Sequence, residues 1–128
     1  MQRDLERVEE IYEAYAKDDL ATLLLLMGQE VEIVQSAELP WGGHYVGHDG
    51  MRQFLGALAQ HLDSSLFIER LIDAGDQIVA VGRTAGKTRK TGLEFDIPLV
   101  QVWAFSDGQV TRFETYIDNA TILAALDA

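Results

Sequence analysis

The chain has 128 residues, 48% hydrophobic and 24% charged, with a net charge of −11 at pH 7 and no cysteine. That length and balance fit a single globular domain over residues 1–128 with one core of its own. The acidity argues against a nucleic-acid partner, whose phosphates need a basic surface, and against an anionic membrane.

The absence of cysteine removes disulfide and thiolate chemistry and suits a cytoplasmic location. No apolar run reaches the roughly 20 residues of a membrane span. The opening residues begin an amphipathic helix and lack the apolar centre of a signal peptide.

Leu5, Val8, Ile11, Tyr12, Tyr15 and Ala16 recur at helical spacing, with Glu6, Glu9, Glu10 and Glu13 on other faces. Asp18-Asp19 ends that helix, and Asp19 is the N-cap predicted for a second, short helix ending at Gly28. A strand is predicted from about Glu30, with Val31, Ile33 and Gln35 alternating with Glu32 and Val34. The segment from Glu38 to His48 holds three glycines and a proline and reads as an irregular, aromatic loop. Asp49 is the cap predicted for a third helix, striped by Met51, Phe54, Leu55, Leu58 and Leu62.

Beyond Asp63 the period changes to two. Phe67, Glu69, Leu71 and Asp73 alternate with Leu66, Ile68, Arg70 and Ile72 in a strand that closes at Ala74-Gly75-Asp76. A further strand starts at Ile78, a basic turn runs from Lys87 to Gly92, and a long strand spans Leu93–Phe105. Asp107-Gly108 then marks a tight hairpin into a last strand, Val110–Asp118, and a helical tail from Ala120 to Leu126. Helices followed by an antiparallel meander make an α+β plan. Pro98 lies inside the long strand, where it requires a bulge or an edge; a bulge there would curl the sheet around a cavity.

The helix pair broken by an acidic turn, the PWGGHYVGHDGMRQFL segment and the WAFSDGQVTRFETYID hairpin together resemble the SnoaL-like branch of the NTF2-like superfamily. That superfamily, with its cystatin-like fold, also holds ketosteroid isomerases and limonene epoxide hydrolases. The resemblance covers almost the whole chain. It implies a cone: a curled antiparallel sheet with helices packed on its concave face around an apolar pocket, and a homodimer through the outer sheet face.

The family's known chemistries do not carry over residue by residue. Ketosteroid isomerases use a tyrosine, a carboxylate base and a neutral aspartic acid. The matching positions here are Ile11, Ile33 and Gln101. Limonene epoxide hydrolases use two inward aspartates and an arginine; those positions fall on Thr115 and on Leu99-Val100-Gln101. SnoaL cyclases use inward His and Asp groups, for which His44 and Asp118 are the candidates.

Period two puts Gln101, Trp103 and Phe105 on one face, and Phe113, Thr115 and Ile117 on the inward face of the last strand. Asp118 then points outward unless the strand end reverses it. Gln101 on an inward face needs a partner, from the protein, from water or from a ligand. Tyr15 reads either as a core tyrosine bonded to a carbonyl or as a pocket donor. Trp41, His44 and Tyr45 stand on the loop expected to fold over the pocket mouth, where His44 serves as a base or merely bonds the loop. His44 and His48, four apart on a glycine-rich loop, lack a third ligand motif, so no metal is predicted. No phosphate loop, dinucleotide fingerprint or nucleophile elbow occurs.

The sequence therefore predicts an apolar pocket for a small hydrophobic metabolite, without a cofactor. Its predicted lining is Tyr15, Ile33, Trp41, Tyr45, Gln101, Trp103, Phe113 and Thr115. The alternative is an isomerase, cyclase or hydratase acting on a polyketide-like or steroid-like carbonyl compound, with His44 and Asp118 as its acid–base pair.

Overall fold

The computed structural model describes residues 3–127. Two helices, α1 (Asp4–Ala16) and α2 (Leu20–Leu25), precede strand β1 (Met27–Gln35), the short strand β2 (Gly43–Val46) and helix α3 (Gly47–His61). Strands β3 (Leu62–Asp73), β4 (Gln77–Thr88), β5 (Glu94–Ser106) and β6 (Gln109–Ile117) follow, and helix α4 (Asn119–Asp127) closes the described chain. The strands form one curled, unclosed sheet in the order β2-β1-β6-β5-β4-β3. The last four make the expected antiparallel meander, while β1 joins β6 in parallel.

Local chemistry explains most boundaries. Asp19 caps α2, accepting from the Thr22 amide at 3.2 Å. Asp107 and Gly108 both have positive φ, 51° and 79°, which an Asp-Gly hairpin turn of the right twist demands. Three expectations are corrected. The second helix ends at Leu25, and Gly28 already lies in β1. The segment predicted as irregular contains β2, because Gly43–Val46 finds a partner in Glu32–Gln35. Helix α3 starts at Gly47, and Asp49 sits inside its first turn, paired with Arg52 at 2.7 Å, rather than capping it.

The sheet's curl also differs in origin from the expectation. Pro98 causes no bulge: its pairing with Arg83 is in register, and β6 ends opposite Leu99, so Pro98 has β4 on one side only. It is tolerated as a local edge. The register shifts lie instead at Ile68/Arg70, Ala104/Phe105 and Met27/Glu32. The first of these breaks the predicted alternation of β3, since Ile68 and Leu71 both oppose inward positions of β4. Along β4, Gly82 and Gly86 let the backbones close up; a Cβ at either would stand 2.1 Å from a β3 carbonyl oxygen.

The core fills the concave side. Val8 and Ile11 of α1, Leu23 of α2, Met51 and Phe54 of α3 and the inward strand residues Ile33, Ile78, Trp103 and Phe113 are all buried. The convex side is mixed, with Val34, Val79, Val81, Val100 and Val102 among charged neighbours.

Candidate functional site

Helix α1 lies across the concave face so that Tyr12 meets β5. Its hydroxyl donates to Gln101 Oε1 at 2.6 Å and accepts from the Trp103 indole Nε1 at 2.9 Å. Gln101 Nε2 in turn reaches Thr115 Oγ1 on β6 at 3.3 Å, across the paired positions Gln101 and Thr115. Gln101 is 6% exposed and Thr115 4%. The amide predicted to need a partner thus has two from the protein. Trp103 stacks on Phe113, with ring centroids 4.2 Å apart, and meets Tyr12 edge-on at 5.6 Å.

These residues form the floor of a cavity of about 60 Å³. Its walls are apolar: Ile11, Leu23, Met51, Phe54, Leu99 and Ile117 are among them. Trp41 closes one side, fully buried, with its indole N–H donated to Gln35 Oε1 at 3.0 Å. Among the described residues the lining includes no carboxylate, histidine, lysine or arginine, and its only titratable groups are Tyr12 and Tyr15. Burial drives the Tyr12 phenol well above its ordinary range, against a smaller lowering by the Trp103 hydrogen bond. Burial, with the nearby Asp18 charge, raises Tyr15 as well.

Tyr12, Tyr15, Leu23, Leu55, Leu58, Leu62, Ser64 and Leu66 also line a wider mouth of about 930 Å³. There the wall turns polar, with Asp18, Asp19, Arg52, Asp63 and Arg89. Arg89 is held by donating from Nε to the Ala59 carbonyl at 2.5 Å. A ligand filling this space would place an apolar end against the aromatic floor and leave its remainder at a polar rim.

Of the residues predicted from sequence, Tyr15, Trp41, Gln101, Trp103, Phe113 and Thr115 are brought together around the cavity. Ile33 is fully buried between Tyr45 of β2 and Phe113 of β6, in the sheet's own packing. Tyr45 lies beside the lining, donating to the Trp41 carbonyl at 3.0 Å and packing edge-on against Phe54. It supports Trp41 and does not face the cavity.

The predicted acid–base pair is not there. His44 lies on β2 opposite Val34, so its side chain falls on the convex face, where Nε2 pairs with Glu32 Oε1 at 3.0 Å. The reason is pairing: once Gly43–Val46 becomes a strand, alternation with Tyr45 inward sends His44 outward. Asp118 follows the end of β6, exposed, and caps α4 by accepting from the Thr121 amide at 3.1 Å and its hydroxyl at 2.7 Å. Those bonds hold its carboxyl below the ordinary range. His48 spends Nε2 on the Met27 carbonyl at 2.9 Å.

Sequence reasoning missed Tyr12 as a site residue, although it stands on the α1 stripe three positions before Tyr15. The available signal was Gln101, a buried acceptor on β5 that needed a hydroxyl donor from the covering helix. Gln35 reads from the sequence only as a strand residue, yet it lines the cavity beside Trp41, six positions on, whose indole donates to its amide oxygen.

Residues 8–113 match the SnoaL-like domain. No curated protein matches the chain. Among solved structures, an NTF2-like protein of unknown function from Burkholderia pseudomallei K96243 is 26% identical over 100% of both chains, with a TM-score of 0.92. An NTF2-like protein from Burkholderia thailandensis E264 is 27% identical over 98% of each chain, also at 0.92. TerC, co-crystallised with polyporic acid, is 25% identical over 98% of each chain, at 0.88. With the domain match covering most of its length and its whole fold shared with these structures, the chain belongs to the SnoaL-like family of NTF2-like proteins.

Proposed function

We propose that the protein binds a small hydrophobic metabolite, whose apolar end enters the cavity and whose polar part lies in the mouth. The observation that carries this reading is the lining itself: an apolar, aromatic wall with only neutral hydrogen-bonding groups. TerC, crystallised with polyporic acid, supports a small-molecule role for this architecture. The cavity itself offers the isomerase, cyclase or hydratase reading no base. The two phenols of the lining stay protonated near neutral pH, and neither His44 nor Asp118 lines the cavity.

Leu58 lines both cavity and mouth, so Leu58→Trp fills the entrance from a half-buried position. Titration of indane against the wild type and this variant tests the reading. Saturable binding that Leu58→Trp abolishes supports it, and binding indifferent to the substitution sinks it. We further propose that a second copy covers the convex valines, forming a homodimer; sedimentation as a monomer at high micromolar protein would refute that.

A further inference from the structure

We infer that the convex sheet face takes a second copy in one register, with Arg70 of each copy seated on the partner's Tyr116. This rests on the homodimer proposed above and names the contact that orients it.

Strand pairing lays out the face. Arg70, Val81, Val100 and Tyr116 form one outward row across the meander, and Ile72, Val79, Val102 and Glu114 form the next. The valines thus occupy the middle strands, β4 and β5, where their own chain leaves them half-buried. Arg70 stands on the β3 flank of the valines, and Tyr116 and Glu114 on the β6 flank.

The charges on this face are spent unevenly. Arg112 pairs with Glu114 at 3.1 Å and with Glu32 at 3.5 Å, and His44 meets Glu32 at 3.0 Å. With His44 neutral, two carboxylates share one cation there. On the other flank Arg83 is engaged by Asp96 at 2.8 Å and Glu69 at 3.8 Å. Arg70 is exposed and joins none of these pairs; among the described residues its side chain has no ion-pair partner. Tyr116 is 53% exposed, yet its hydroxyl is tied to Glu114. That bond holds an aromatic ring in solvent with a carboxylate beside it. A guanidinium suits both, since it stacks on an aromatic face and is drawn to the negative charge.

Within one chain Arg70 and Tyr116 are three strand spacings apart, about 14 Å. A two-fold axis running along the strands between β4 and β5 brings them together. It lays β3 on the partner's β6 and β4 on the partner's β5, so each row meets itself reversed. Val81 covers the partner's Val100, Arg70 covers the partner's Tyr116, and symmetry makes each contact twice. An axis across the strands lays β6 on β6 instead. It sets Glu32 and Glu114 against their own copies, where like charges repel. Charge therefore selects the first arrangement, and aligned stacking of two sheets permits it.

The chain lacks cysteine, so introduced thiols are unique. Reduced Arg70→Cys/Tyr116→Cys protein is treated with a short bis-maleimide. Its reach suits stacked sheets about 10 Å apart but not the roughly 14 Å within one chain. A denaturing gel should show a covalent dimer from the double variant and only a trace from either single variant. Sedimentation reads the same contact independently. Arg70→Ala and Tyr116→Ala should each raise the dimer dissociation constant about tenfold, and together far less than the roughly hundredfold of independent residues. Linkage of a single variant to its own copy would overturn this register while leaving the homodimer intact. So would dissociation constants that multiply, or no linkage where the double variant sediments as a dimer. Wild-type protein that stays monomeric at high micromolar concentration would overturn both.

Discussion

The Tyr12 hydroxyl on α1 lies 2.6 Å from Gln101 Oε1 on β5, a single hydrogen bond that joins positions 89 residues apart and holds the first helix to the sheet. Because the Trp103 indole donates to the same hydroxyl, this one oxygen satisfies two buried groups at once.

Tyr12→Phe strands both. The indole N–H loses its acceptor and the amide oxygen its donor. A destabilisation of about 2–4 kcal/mol is expected from two unmet polar groups. Urea unfolding measures it, and a loss below about 0.5 kcal/mol would mean the network contributes little.

The same tyrosines set the alkaline limit. Tyr12 and Tyr15 both ionise above the ordinary value of 10.0 because burial disfavours the phenolate. A raised folded pKa contributes stability in full below the unfolded value, lost as pH rises toward the folded one. Stability should therefore fall from pH 10 upward, by up to about 1.4 kcal/mol per pH unit for each phenol. Unfolding curves at pH 9, 10 and 11 should show this slope, and Tyr12→Phe with Tyr15→Phe should flatten it.

Between pH 5 and 8, by contrast, nothing on the cavity wall changes charge. Affinity for an apolar probe such as indane should be flat across that range. A bell-shaped or sigmoidal profile would point to a titrating group in the site and reopen the acid–base reading.

Asp118 and His44 are expected to matter elsewhere. Asp118→Ala should speed amide exchange in α4 and leave probe affinity unchanged, and His44→Ala should leave it unchanged too. The carboxyl of Asp118 is depressed by its Thr121 bonds, so its contribution is complete above the unfolded value of 3.8 and fades as pH falls through the folded one. Weakened binding in either variant would contradict the placement of both side chains outside the cavity.

Gly86→Ala tests the curl. The new Cβ would stand 2.1 Å from the Asp63 carbonyl oxygen and 2.6 Å from Ser64 Cα, so β3 and β4 must move apart. A cost of about 1–3 kcal/mol is expected by overpacking. A neutral result in thermal unfolding would mean that this edge of the sheet gives way freely.

Much of the architecture is legible in the sequence. Asp107-Gly108 fixed its hairpin because two successive positive φ values suit few residue pairs, and the α1 stripe marked its buried face through periodicity alone. The outward turn of His44 was not legible. Four residues with two glycines beside them carry no strand signal, and β2 exists only because β1 offers an edge to pair with. The β3 alternation failed for a similar reason: both of its faces carry apolar residues, so the pattern could not show where the Ile68/Arg70 register shift reverses them.

By itself, then, the sequence determined the order of elements, the inward set on β5 and β6, and the neutral character of Gln101 and Thr115 where carboxylates would signal a known reaction. Those are properties of residue type and local period. Only the tertiary structure decided that α1 brings Tyr12 over Gln101, that Trp103 and Trp41 orient the two amides, and that Asp118 is spent as a helix cap. Each depends on groups far apart in the chain meeting at hydrogen-bond distance, and no local pattern encodes that.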